Sequence, residues 1–342
     1  MAEKITLVQY GPSSKAFKIE SFQEPALQAD EILIDVHYSG INFADILARK
    51  GMYDDAPKLP CVLGYDVSGT VAAVGSQAAK NFAIGDRVVS LTRFGGYASQ
   101  AVAKAVATSK IPDSIDFPEA TALATQACTA YYCAVDRITL HPGDRVLVQA
   151  AAGGVGRFLV QMAKNAGCIV YGTASTGKQD YIRSLGVDHA IDYTKEDFET
   201  ALKKILGKEK LDVVFDSLGG KAFNKAYKLL GPTGSMVCFG AAEQIESEKN
   251  KLKLIGLALG FGFRSPIGML LQSKSIITVN MLRVADHKPL RFQHCLTQVM
   301  KMAEEKIITP EVSQIFEARD IAKAHDFVES RKSTGKVVLR WK

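Results

Sequence analysis

Residues 143–164 leave this chain few folds to choose from. They read Gly-Asp-Arg-Val-Leu-Val-Gln-Ala-Ala-Ala-Gly-Gly-Val-Gly-Arg-Phe-Leu-Val-Gln-Met-Ala-Lys. Val146, Leu147 and Val148 form a short apolar run that suits a buried strand. Ala151, Gly153 and Gly156 hold the three positions of a G-x-G-x-x-G turn, with Ala in the first. In such a turn the second glycine lets backbone approach a pyrophosphate, and the third lets the helix pack tightly on the strand. Val155, Phe158, Leu159, Met162 and Ala163 then recur at helical spacing, which aims a helix N-terminus at the phosphates. A glycine turn alone is an ordinary strand–helix connection; strand, turn and helix in this order predict a dinucleotide cradle.

The chain has 342 residues, more than a typical single domain, so two domains are expected. Hydrophobic residues make up 47%, enough for a sizeable core, and the net charge of +6 is spread along the chain. No stripe of Lys and Arg with interleaved aromatics is present, so nucleic acid is not an expected partner. The six cysteines contain no C-x-x-C pair and sit mostly among apolar neighbours, a pattern of reduced thiols. Residues 1–10 resemble a strand rather than a leader, so the expected location is the cytoplasm. The apolar run 254–263 is about half the roughly 20 residues that span a bilayer. It suits a core, a subunit contact, a substrate wall or a membrane-surface contact.

Up to about residue 123 the chain alternates in short segments split by Gly and Pro, at 32–36, 67–74, 87–90 and 97–102. This predicts a mostly antiparallel β domain. From about residue 124, strand candidates at 146–149, 169–173, 189–192, 213–216, 236–239 and 276–279 alternate with helical stretches. That grammar predicts an α/β Rossmann domain, a doubly wound parallel sheet. Helical segments 290–305 and 321–329 and a strand at 336–341 follow, and are expected to return to the first domain. The expected division is 1–123 with 264–342, and 124–263.

The motifs Gly40-Ile-Asn-Phe-Ala-Asp45, Gly51-Met-Tyr53, Pro60-Cys-Val-Leu-Gly-Tyr-Asp66, the 143–164 block and Ser333-Thr-Gly-Lys-Val-Val-Leu339 together resemble a medium-chain dehydrogenase/reductase. Within that superfamily the chain is similar to the zeta-crystallin-like quinone oxidoreductases, most of all their branch of vesicle amine transport protein 1 homologues. The resemblance covers nearly the whole length. It implies a GroES-like catalytic domain beside the Rossmann domain, with the cofactor in a cleft between them, and a homodimer through the cofactor domain. Zinc alcohol dehydrogenases of the superfamily carry a Cys in the first motif and Gly-His-Glu in the second. Here Asn42 and Gly64-Tyr65-Asp66 stand there, and the four-cysteine lobe is missing. A zinc-independent enzyme is expected, and alcohol oxidation by a Lewis acid is not.

A site for NAD places an acid about 20 residues after the glycine turn to bind the ribose 2′-hydroxyl. Here the second strand runs into Ser175-Thr-Gly-Lys178, with no acid before Asp180. Ser175 and Lys178 can instead bind a 2′-phosphate. Lys178 taken alone is equally a solvated lysine at a helix start; the missing acid decides for NADPH. By resemblance Tyr193 meets the same phosphate, and Gly153, Gly154, Val155 and Gly156 meet the pyrophosphate. Thr129, Phe239, Gly240, Ala241, Val279 and Asn280 line the nicotinamide half.

The expected reaction is NADPH-dependent reduction of a small-molecule quinone or α,β-unsaturated carbonyl. The growing oxyanion needs a hydrogen-bond donor, and Tyr53 and Asn42 are the candidates. Tyr53 is alternatively a turn aromatic. Asp45 orients the loop or caps the following helix, Tyr65 lines the pocket, and His37 and His141 are structural. The rivals are an NADPH-binding module that docks residues 252–271 on a membrane or partner, and an enoyl-thioester reductase.

Overall fold

The computed structural model describes residues 1–23, 25–242 and 259–342. Its strands are β1 Ala2–Leu7, β2 Phe17–Phe22, β3 Glu31–Ile41, β4 Cys61–Val62, β5 Asp66–Val74, β6 Arg87–Leu91, β7 Gln100–Lys104 and β8 Thr108–Lys110. They continue as β9 Arg145–Val148, β10 Ile169–Ala174, β11 His189–Asp192, β12 Leu211–Asp216, β13 Leu230–Cys238, β14 Ser275–Thr278, β15 Val312–Glu317 and β16 Lys336–Arg340. The chain divides into two compact units, Met1–Cys128 with Met281–Lys342, and Thr129–Asn280.

The second unit is built on one parallel sheet in the order β11-β10-β9-β12-β13-β14. Counting from its first strand this is 3-2-1-4-5-6, the doubly wound order, which reverses direction between β9 and β12. Val146, Leu147 and Val148 are fully buried, as a parallel strand covered on both faces requires. On one face Leu147, Val214 and Met236 pack with Leu202 and Leu206 of the helix Phe198–Leu206 and with Phe223 and Ala226 of the helix Gly220–Leu229.

The first unit is mostly antiparallel. One sheet runs β15-β16-β3-β5-β6-β8, with β7 also paired to β3, and a smaller one runs β2-β1-β4. Within the larger sheet only β15 and β16 pair in parallel. Ile32, Ile34, Val36, Val67, Val71 and Val88 alternate inward onto Phe82, and Trp341 closes the cluster. Residues 281–342 belong to this unit. The units part at 128/129 and 280/281 rather than at the expected 123/124 and 263/264. Residues 275–278 belong with the parallel sheet because β14 pairs with β13 from Ser235↔Ser275 to Cys238↔Thr278.

Candidate active site

In the Rossmann unit the chain leaves β9 through Gln149 and turns at Ala150, whose φ of 51° is left-handed. The turn is clamped to β10: Ala150 N–H donates to Thr173 Oγ1 at 3.1 Å and Ala151 N–H to Thr173 O at 3.0 Å. Gly153 is the N-cap of the helix Gly154–Asn165. A Cβ on Gly156 would lie 2.3 Å from Ala150 O and 3.0 Å from Ala151 Cα, so only glycine lets the helix sit this close to the turn. The first-turn N–H groups of Gly154, Val155 and Gly156 have no acceptor inside the helix, and the helix dipole adds positive potential there. Both amide atoms of Gln149 are buried with no hydrogen-bond partner among the described residues. A glycine cradle and an orphaned polar group beside it fit a bound dinucleotide.

All the expected cofactor residues except Thr129 follow the carboxyl ends of this sheet. Gly153, Gly154, Val155 and Gly156 come after β9, and half-buried Ser175 and Lys178 after β10. Burial pulls the Lys178 ammonium below its ordinary pKa, a shift that an adjacent anion would reverse. Tyr193 follows β11, is exposed, and donates its N–H to Ala174 O. Phe239, Gly240 and Ala241 follow β13; Phe239 N–H bonds Asp216 O, and a Cβ on Gly240 would lie 2.7 Å from Ser217 O. Val279 and Asn280 follow β14, the first buried and the second exposed. Thr129 is buried in the short helix Cys128–Tyr131, flanked by single π-helical stretches at Leu123–Ala127 and Tyr132–Asp136. Such π turns recur at functional sites.

One acid near Ser175 was not expected there. Asp192 pairs with Ala174 across β10 and β11, so its carboxylate reaches the turn after β10. It accepts from Thr176 Oγ1 at 2.6 Å and Thr194 Oγ1 at 2.5 Å. Against a desolvation that raises its pKa, these hydroxyls hold the carboxyl below its usual value.

In the GroES-like unit, Asn42 follows β3 and is the N-cap of the helix Phe43–Arg49. Asp45 reaches back to it: Oδ2 accepts the Asn42 N–H at 2.8 Å, while Oδ1 accepts the Gly64 N–H at 3.1 Å. Asp45 therefore both caps the helix and pins the following motif. Burial pushes its carboxyl up to about 7 against these two bonds. The Asn42 side chain is engaged at both ends. Nδ2 donates to Asp66 Oδ1 at 2.9 Å, and Oδ1 accepts from Lys336 Nζ at 2.8 Å. Lys336 also pairs with Asp66 Oδ2 at 2.5 Å, and both of these side chains are fully buried. One of the two Nδ2 hydrogens of Asn42 is thus committed inside the protein, which leaves one for any other role.

Tyr53 is half-buried in the turn after this helix, its ring edge-on to Tyr65 at a centroid distance of 6.4 Å. Tyr65 leans on Phe94 at 5.0 Å. Burial raises the pKa of both phenols, helped by the charge of Asp55 at Tyr53 and of Asp45 at Tyr65. The Tyr65 hydroxyl is buried with no partner among the described residues. Two ion pairs stand near these rings, Asp55 with Arg283 and Asp286 with Arg93. Arg93 has a left-handed φ of 65°. The cluster is an aromatic wall with one half-exposed and one unpaired hydroxyl, suited to a flat acceptor that carries an oxygen. His37 packs on Phe117, and the His141 backbone donates its N–H to Asp144 and accepts from the Cys168 thiol at its carbonyl. No group of three or more His, Cys, Asp or Glu among the described residues is arranged to hold a metal ion.

Two family models match the chain: "Alcohol dehydrogenase GroES-like domain" over residues 28–113 and "Zinc-binding dehydrogenase" over residues 185–339. The chain is 33% identical over 316 residues to the "Synaptic vesicle membrane protein VAT-1 homolog" of Homo sapiens, covering 92% of this chain and 80% of that protein. It is 31% identical over 326 residues to the "Quinone oxidoreductase-like protein 2 homolog" of Nematostella vectensis, covering 94% and 85%. It superposes on the crystal structure of Escherichia coli quinone oxidoreductase complexed with NADPH with a TM-score of 0.85 at 28% identity, over 99% of this chain and 100% of that one.

Proposed function

Since the chain belongs to the medium-chain dehydrogenase/reductase superfamily, we propose that it is a zinc-independent, NADPH-dependent oxidoreductase that reduces quinones or α,β-unsaturated carbonyls. The observation that carries this reading is the convergence of the glycine turn, the Ser175–Lys178 corner and the residues after β13 and β14 on the carboxyl ends of one doubly wound sheet. When bound, NADPH supplies a hydride from its nicotinamide ring. The chain's own groups hold and protonate. The N–H groups of Gly154, Val155 and Gly156 bind pyrophosphate; Ser175, Lys178 and Tyr193 bind the 2′-phosphate. Thr129, Phe239, Gly240, Ala241, Val279 and Asn280 hold the nicotinamide half. Tyr65 and Phe94 wall the acceptor from water. Tyr53 donates its hydroxyl hydrogen to the acceptor oxygen as negative charge grows there, and the free Nδ2 hydrogen of Asn42 adds a second bond. Zinc-independence is supported by what fills the expected ligand positions: Tyr65 stands in place of the histidine, and Asn42, in place of the cysteine, accepts from the ammonium of Lys336, which also pairs with Asp66.

The test is NADPH oxidation by purified protein with a panel of quinones and alkenals. Tyr53→Phe should lower kcat by about 10²-fold or more at unchanged NADPH affinity. A variant as active as the parent removes Tyr53 from the chemistry.

A second reading has its own observation. The helix Pro266–Gln272 has no buried residue, and Phe263, Ile267, Leu270 and Leu271 are 92%, 70%, 77% and 81% exposed. Arg264 stacks 4.0 Å over Tyr227, and Lys274 lies 5.2 Å over the same ring. Apolar side chains flanked by cations suit the surface of an anionic bilayer. Of the apolar run 254–263, residues 254–258 lie outside the described residues. No helix among the described residues is long and apolar enough to cross a membrane. Flotation with anionic and neutral vesicles, repeated with Leu270→Ser and Leu271→Ser, tests this reading. The proposed homodimer gives the competing outcome: a dimer by light scattering that the same substitutions dissociate, with no flotation.

A further inference from the structure

Lys336 takes no part in the chemistry proposed above, yet its side chain is fully buried. Continuing the register of β3 places Lys336 opposite Asn42 and Asp66 opposite Gly40. The lysine stem crosses Gly40: a Cβ there would lie 2.3 Å from Lys336 Cε, 2.6 Å from its Nζ and 2.4 Å from Asp66 Oδ1. Glycine at 40 is therefore the condition for the ammonium to stand where it does. A buried ion pair is a weak source of stability, because desolvation offsets most of its attraction. Its geometry is more informative.

The ammonium donates to the carbonyl oxygen of the Asn42 amide, and a carboxylate accepts from its nitrogen. A flipped amide would set its NH2 against the ammonium and its oxygen against the carboxylate, so only one orientation is allowed. A cationic donor on Oδ1 also draws electron density through the amide and makes the remaining Nδ2 hydrogen a stronger donor. We propose that Lys336 is a positioning residue that acts through Asn42, fixing the amide and strengthening its free Nδ2 hydrogen as a donor to the oxyanion on the reduced acceptor. Asp66 shares the task as the second anchor, and Gly40 makes room for it. The proposal rests on the oxidoreductase reading.

The experiment uses the full chain with NADPH and a quinone. A parent protein that oxidises no NADPH with any acceptor refutes the oxidoreductase reading itself. With an active parent, Lys336→Met should lower kcat roughly ten- to hundred-fold, on the scale of a lost oxyanion donor, at unchanged NADPH affinity. Gly40→Ala keeps every charge and displaces the flexible end of Lys336, and should show the same loss. The decisive arm is a double-mutant cycle: in an Asn42→Ala background, Lys336→Met should lower kcat no further. A structural role would instead lower thermal stability and leave kcat per folded molecule unchanged. A readout free of activity is the melting temperature of Lys336→Ala, which methylammonium should raise while leaving the parent unmoved. Full kcat in both single variants overturns the proposal, as does an undiminished effect of Lys336→Met on top of Asn42→Ala. If Lys336→Met does not fold, Gly40→Ala decides alone by the same kcat criterion.

Discussion

The two glycines of the turn after β9 do different work, and alanine at each should separate a packing defect from a binding defect. At Gly156 an added Cβ meets three backbone atoms, the nearest at 2.3 Å, where ordinary contact begins at 3.4 Å. The helix must retreat by about 1 Å from a turn that is itself bonded to Thr173. Overpacking of this kind costs about 1–3 kcal/mol. For a unit of this size that corresponds to a fall of roughly 2–12 °C in Tm. At Gly153 the only close atom is Ala150 O, at 3.1 Å, and its φ of −77° suits any residue. Lower unfolded-state entropy returns about 0.4–1 kcal/mol at such a site, so the net change in Tm should be near zero. The same methyl stands where backbone should approach the pyrophosphate, so NADPH affinity should fall at least tenfold, about 1.4 kcal/mol. Thermal unfolding without nucleotide and fluorescence titration with NADPH separate the two quantities. A Gly156→Ala protein with the parent Tm, or a Gly153→Ala protein that loses stability without losing affinity, refutes this division of roles.

Tyr65→Phe should stabilise the protein in urea titrations by about 1 kcal/mol, because it removes a buried hydroxyl with no partner; a destabilised variant would show that the hydroxyl is satisfied in solution. Lys178→Ala should weaken NADPH binding about tenfold or more and leave NADH binding unchanged; equal losses for both nucleotides would remove Lys178 from the 2′-phosphate. Asp45 should make stability depend on pH. Its carboxyl is raised from 3.8 to about 7, chiefly by burial and then, among the causes that raise it, by the charge of Asp66. The folded state therefore holds this proton more tightly than the unfolded chain. Its stabilising contribution is complete below about pH 4 and is lost as pH rises through 7, up to about 4 kcal/mol in all. Asp45→Asn leaves one of two N–H donors poorly met, so it should be less stable in acid but lack this slope; parallel pH profiles for parent and variant would refute the assignment.

The Rossmann unit was legible because its signals are local. Strand, turn and helix lie within residues 143–164, and the central parallel strands β9 and β12 each carry an apolar run of their own. Asp45 was legible for the same reason, since a residue three positions into a helix reaches back to its cap. The rest of the GroES-like site is set by register. Asn42 is 24 residues from Asp66 and 294 from Lys336, and no periodicity links them before β3, β5 and β16 are paired. Lys336 begins a run, Lys-Val-Val-Leu-Arg, whose opening cation suggests solvent, and only the space above Gly40 draws it inward. Asp192 is not legible at the turn after β10, because the acid arrives there from the neighbouring strand β11 rather than from the end of β10. The strand at 275–278 was legible as a member of the parallel alternation, and its pairing with β13 sets it in the second unit.

The cluster under Asn42 also bears on which acceptors suit the site. Asp66 and Lys336 cancel each other, and Asp45 titrates at about 7 between two backbone N–H donors. In the proposed site the cluster would thus place little net positive charge beside the reacting oxygen, where a divalent ion would place two units. Such charge is what holds an alcohol as its alkoxide. Without it, a full negative charge in the site must be short-lived, relieved by a proton as it forms. An enone would meet that demand because the oxygen that gains charge is remote from the β-carbon that gains hydride, and a quinone because its charge falls on an oxygen conjugated through the ring, so a phenol could meet it in either. Tyr53, whose pKa burial raises above an already high ordinary value, is a protonated phenol at neutral pH and can donate its hydrogen. In the proposed site a phenol that is protonated at neutral pH can give a proton to the acceptor but has no free base form to take one from an alcohol, which fits reduction of the acceptor.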